Sequence, residues 1–182
     1  MGKKASSLKR QRGLTLIELL IVITILALLF SIVIPTARTS INRAKVKGTM
    51  KNISIISKAI ADYATDNGFV PVQNGTYDPS STFYTTLAPF YIKILPTTDQ
   101  WGNAFNVWCG SNADGNYGIT GSIKEDYLIA SFGSDNIKEE EFSFDPYFPD
   151  DGFFIISKKA DFNKNLVMWN NTWICRPRNI RN

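Results

Sequence analysis

The sequence predicts an α+β fold, a long N-terminal α-helix whose C-terminal half packs on a small antiparallel β-sheet. Three observations carry that expectation. From Leu14 to Ile34 the chain is almost continuously apolar, enough residues to cross a bilayer core of about 30 Å. Beyond Pro35, helical spacing continues through Ile41, Val46, Met50, Ile53, Ile56 or Ser57, Ile60, and Tyr63 or Ala64. From Phe69 onward, short apolar segments punctuated by Gly, Pro, Asn and Asp read as strands and turns. The expected divisions are therefore a basic leader (1–13), an apolar helix (14–35), an amphipathic helix (36–68) and a β-rich globular part (69–182).

With 182 residues, the chain has room for one modest domain beyond the apolar segment. Hydrophobic content of 44% and charged content of 20% are those of a folded protein. The net charge of +4 resides largely in Lys3, Lys4, Lys9, Arg10 and Arg12, and without them the chain is near neutral. Histidine is absent, which removes Ser-His, Cys-His and His-metal chemistry together with the commonest general base near neutral pH. An enzyme is not expected. Cys109 and Cys175 lack metal-site spacing. In an exported domain they would form a disulfide, worth about 4 kcal/mol by loop-closure entropy. The alternative is two unpaired buried thiols.

Residues 1–13 have no apolar core, and the small residue Gly13 lies between the charges and the apolar run, unlike a secretory signal cleaved after its apolar region. Cleavage at Gly13 would leave the hydrophobic segment on the mature chain with a new amine at Leu14. Glu18 is the one carboxylate in that segment. Such a group costs roughly 2.5–3.5 kcal/mol on insertion scales, which marks it as functional. Gly13-Leu14-Thr15-Leu16-Ile17-Glu18-Leu19-Leu20 resembles the leader junction of type IV pilins and type II secretion pseudopilins. That resemblance implies cleavage after Gly13 by a prepilin peptidase and N-methylation of Leu14. Leu14 stands where the family more often has Phe or Met. Glu18 and Pro35 fall where the family places its assembly carboxylate and helix proline, and the carboxylate is implied to pair with a neighbouring subunit's N-terminal amine.

One helix is expected from Leu14 to about Asp66, some 80 Å long at the standard rise, with a kink or local melting at Pro35. Asp66-Asn67-Gly68 reads as its stop, Gly68 being the left-handed residue. Arg38, Arg43, Lys45, Lys47, Lys51 and Lys58 follow Glu18 with no acidic residue before Asp62. They suit DNA or anionic lipid, but a solvated face meeting acidic loops of neighbouring subunits is the simpler reading, and no nucleic-acid partner is expected. The positive-inside comparison is nearly tied between the two flanks, so the cytoplasmic placement of the leader comes from the resemblance.

Strands are expected at Ala104–Trp108, Asp126–Phe132, Phe153–Ser157, Leu166–Trp169 and Trp173–Cys175, with a short helix or irregular segment over Leu87–Leu95. Two patches are similar to major pseudopilins. Asp99-Gln100-Trp101-Gly102-Asn103-Ala104-Phe105 matches their Asp-Pro-Trp-Gly-Asn-Pro-Tyr loop, with Gln100 and Ala104 in place of the prolines. Asp126 to Asn136 matches the strand and loop that follow, where the family binds calcium. The resemblance implies Asp135 as a Ca²⁺ ligand, with Ser131 and Asp150 or Asp151 as further donors. The alternative is a solvated acidic loop, and the Glu139-Glu140-Glu141 run reads as solvated rather than as a ligand set.

The resemblance as a whole implies a filament subunit acting in type II secretion. Its partners would be copies of itself, minor pilin-like subunits, the prepilin peptidase and an inner-membrane assembly platform. Before assembly it would span the bacterial inner membrane once, and afterwards it would lie in a periplasmic or cell-surface filament. A surface or DNA-uptake pilin is the alternative within the class, and a non-polymerising single-span binding protein the alternative outside it.

Overall fold

The structure, a computed structural model, describes residues 14–139 and 142–178, without the side chains of Ile32 and Pro35. Gly13, with its expected cleavage, and Glu140 and Glu141 lie outside the described residues. The chain divides into two compact units, Met1–Arg38 and Thr39–Asn182, and helix α1 (Leu16–Asn67) contributes to both.

In the first unit, the hydroxyls within the apolar run bond back to their own helix. Thr24 Oγ1 donates to the Leu20 carbonyl (2.7 Å), Ser31 Oγ to Leu28 (2.7 Å) and Thr36 Oγ1 to Val33 (2.9 Å). Such bonding satisfies hydroxyls where water is excluded. Helical structure is continuous through Pro35, so the expected local melting does not occur. A proline removes one amide donor, and the turns on either side keep theirs. The described side chains from Leu14 to Ile34 are all exposed.

In the second unit, α1 buries Val46, Thr49, Ile53, Ile56, Ser57, Ala59 and Ile60, the stripe that helical spacing predicts. Ile41 departs from it and is exposed. The helix ends as expected, the Gly68 amide reaching the Ala64 carbonyl (2.8 Å) and Gly68 adopting φ +76°.

Six strands follow: β1 (Asn74–Thr76), β2 (Asn106–Cys109), β3 (Tyr127–Ser131), β4 (Phe153–Phe154), β5 (Leu166–Trp169) and β6 (Thr172–Pro177). They form one sheet in the order β1-β2-β3-β5-β6-β4. All pairings are antiparallel except β4 with β6. Helix α2 (Thr82–Leu87) begins at Ser81, whose side chain accepts from the Tyr84 amide. This helix precedes the Leu87–Leu95 segment where a short helix is expected. Phe153–Ser157 yields only the two-residue β4.

Alternation along the strands explains the core. Val107, Cys109, Tyr127, Ile129, Leu166 and Met168 cluster with the helix stripe. Trp108, Leu128, Ala130, Val167, Ile174 and Cys175 form a second cluster on the opposite face, covered by Ala113, Tyr117 and Ile119 and by Phe142 and Phe144. The sheet is thus buried on both faces, and β3 is buried at every position. The aromatics after Phe142 supply part of that second layer.

Candidate functional site

The apolar helix opens on a reciprocal cap. Thr15 precedes the first helical residue and Glu18 is the third within the helix. Glu18 Oε2 accepts from the Thr15 amide (2.8 Å) and the Thr15 hydroxyl (2.7 Å), while the Glu18 amide donates to Thr15 Oγ1 (3.3 Å). Thr-x-x-Glu is the capping-box pattern, so Thr15 belongs to this site, and the spacing Thr15-Leu16-Ile17-Glu18 is the signal for it. The second carboxylate oxygen, Oε1, takes no hydrogen bond among the described residues. Glu18 is exposed, so the site presents a fixed carboxylate at the end of an uncovered apolar rod. The peptide amide it holds belongs to the residue after Leu14.

A second polar centre joins α1, the loop before β2 and the loop after β3. Asp99 is buried. Its Oδ1 accepts from the Trp101 and Asn103 amides (both 2.9 Å), and its Oδ2 from Ser131 Oγ (2.8 Å). Asn103 Nδ2 then donates to the Gly133 carbonyl (2.8 Å), and the Gln100 amide to the buried Thr49 hydroxyl on α1 (3.2 Å). Asp99 is therefore the hub of the turn, with Gly102 at φ +92° and Trp101 packed on the helix-side core.

The family model for the prokaryotic N-terminal methylation motif matches residues 8–34. Among curated relatives, the type II secretion system core protein G of Escherichia coli (strain K12) is 33% identical over 104 residues, spanning 53% of this chain and 70% of the relative. The protein of the same name from Aeromonas hydrophila is 32% identical over 108 residues, spanning 54% and 73%. The chain belongs to the type II secretion core protein G family. It is a pseudopilin subunit of type II secretion. The Pseudomonas aeruginosa core protein G is 31% identical over 106 residues, 53% of this chain and 72% of its own. No solved structure matches.

For a core protein G, the donors expected for calcium do not assemble. Ser131 is buried and committed to Asp99. Asp135 Oδ1 accepts from the Ile137 amide two residues on (3.1 Å), closing its own turn. Asp150 pairs with Arg178 (3.0 Å) in an exposed ion pair, and Asp151 is exposed. Among the described residues no three His, Cys, Asp or Glu side chains group as a metal site. Ca²⁺ takes six to eight oxygens, and this set does not supply them.

The expected Cys109–Cys175 bridge is not formed; both thiols are free and buried. They belong to opposite faces of the sheet. Two strands, β3 and β5, separate β2 from β6, which at the usual strand spacing is about 14 Å, twice the disulfide reach of about 7 Å. Burial raises both thiol pKa values, that of Cys175 to about 12. Neither cysteine is expected to react with a maleimide before unfolding, and reductant should leave the melting temperature unchanged. A disulfide-linked peptide in a non-reducing digest would contradict both expectations.

Proposed function

We propose that the chain polymerises through α1 as the major structural subunit of a periplasmic pseudopilus, with no catalysis of its own. Processing after Gly13 releases the Leu14 amine, which becomes N-methylated, and the amine of one subunit pairs with Glu18 of another. Before assembly the helix spans the inner membrane with its leader in the cytoplasm. The prepilin peptidase, an assembly platform and minor pilin-like subunits are its partners.

The observation that carries this reading is the pairing of an uncovered apolar helix with one oriented carboxylate at its start. The described residues from Leu14 to Ile34 bury no side chain, and α1 is long and apolar enough to cross a membrane. Lipid satisfies that surface before assembly, and helices of other subunits satisfy it afterwards. Glu18 Oε1 is open to the amine that cleavage creates, and a buried charge is stable only when paired.

Mass spectrometry of the protein from cells tests the processing. The expected mass is that of residues 14–182 with one methyl group on Leu14, and it reverts to the full chain when the prepilin peptidase is absent. A chain retaining residues 1–13 in wild-type cells would rule out this route. Deleting the gene should also abolish release of folded type II substrates while they accumulate in the periplasm, whereas a surface pilin would leave secretion intact.

A further inference from the structure

The loop after β3, where the resemblance expects calcium, is closed instead by side chains from three other segments. The Lys138 ammonium donates to Asn116 Oδ1 (2.8 Å). It also lies over the rings of Trp108 on β2 (5.5 Å) and Tyr117 (5.3 Å), which pack edge to face against each other. Beneath it is Asn165, fully buried before β5. With its amide turned to satisfy its neighbours, Asn165 donates to the Ile137 carbonyl (3.1 Å) and accepts from the Glu139 amide (2.8 Å) and the Tyr117 hydroxyl (2.7 Å). The Asn165 backbone N–H in turn donates to Glu139 Oε2 (3.1 Å).

We propose that Lys138, with Asn165 and Glu139, fastens the loop after β3 in place of a metal ion, so that this pseudopilin folds without calcium. A loop-closing cation must draw together polar groups distant in sequence. Here one ammonium ties Asn116, Trp108 and Tyr117 to the loop, and Asn165 ties the backbone on either side of Lys138 to the start of β5. A lysine over aromatic faces is held by their negative quadrupoles while its stem packs on the rings. The expected metal donors are engaged elsewhere, Ser131 on the buried Asp99 and Asp135 within its own turn.

The test uses the full chain in detergent, melted with millimolar calcium chloride or with EGTA. The two wild-type curves are expected to coincide. K138M should melt lower by about 3 °C or more in both, calcium giving no recovery. A wild-type melting temperature that rises by about 3 °C or more with calcium, or a K138M curve matching wild type, would overturn the proposal. Should K138M fail to fold, amine labelling of the wild-type chain decides. Lys138 is expected to react several-fold more slowly than the exposed Lys51 and Lys58, and equal rates would overturn its clamped role. None of these readouts depends on polymerisation, so they stand apart from the filament reading.

Discussion

Replacing Glu18 by alanine is expected to abolish filament assembly while the sheet unit stays folded. In the proposed filament, each added subunit would leave an amine in an apolar surround without its carboxylate. Taking a membrane-depth charge at about 3 kcal/mol, each contact weakens on the order of 100-fold, and the loss compounds along the polymer. Glu18 also caps its own helix through Thr15, and losing a cap is worth about 1 kcal/mol. Glu18→Gln separates the two roles. Glutamine serves in a capping box but carries no charge, so this variant should keep the helix start and still fail to assemble. The measurement is recovery of filaments in sheared or overproducing cells, with secretion as a second readout. Normal filaments from Glu18→Gln would reduce Glu18 to a cap and remove the carboxylate-amine pair from the mechanism.

Legibility in the sequence follows the range of the interactions involved. The helix was readable over its whole length, because apolar continuity, 3.6-residue spacing and the Asp66-Asn67-Gly68 stop are all local. Strands β2, β3, β5 and β6 are legible for the same reason, β5 with its ends unchanged and the other three with ends shifted by one or two residues. The second sheet face was not, since the loop carrying Tyr117 and Ile119 shows no periodicity that announces it as a cover. The cysteines misled because exported location argues for a bridge but says nothing of which face each thiol occupies; that depends on strand order, a non-local property. Ser131, expected from the resemblance as a calcium donor, has instead a bonding partner, Asp99, that lies 32 residues away. Thr15 is legible in the Thr-x-x-Glu spacing, because a capping box is a local signal. Lys138 and Asn165 carried no signal, since their roles depend on the approach of segments remote in sequence.

Gly133→Ala is expected to destabilise the sheet unit by about 4 kcal/mol or more. Gly133 has φ +72°, and a Cβ built on it would lie 2.4 Å from the Asn163 carbonyl oxygen and 2.9 Å from that of Lys164. Both are backbone atoms, so no side-chain rotation relieves the overlap. The left-handed conformation alone is worth roughly 1–2 kcal/mol for an alanine, and the overlap must be added to it. Relief by moving Gly133 would disturb its carbonyl, which holds Asn103, and its amide, which donates to the Ser131 hydroxyl on Asp99 (3.4 Å). The strain therefore passes into the buried hub that joins α1 to the sheet. Gly75 gives the control, with φ +88° and nothing within 4 Å of a built Cβ. Gly75→Ala thus isolates the conformational part, about 1 kcal/mol, and the difference between the variants measures the close approach. Melting of the two full-length variants in detergent should place Gly133→Ala about 10 °C below Gly75→Ala or lower. Equal melting temperatures would mean that the loop after β3 yields at Asn163 and is not locked to the hub.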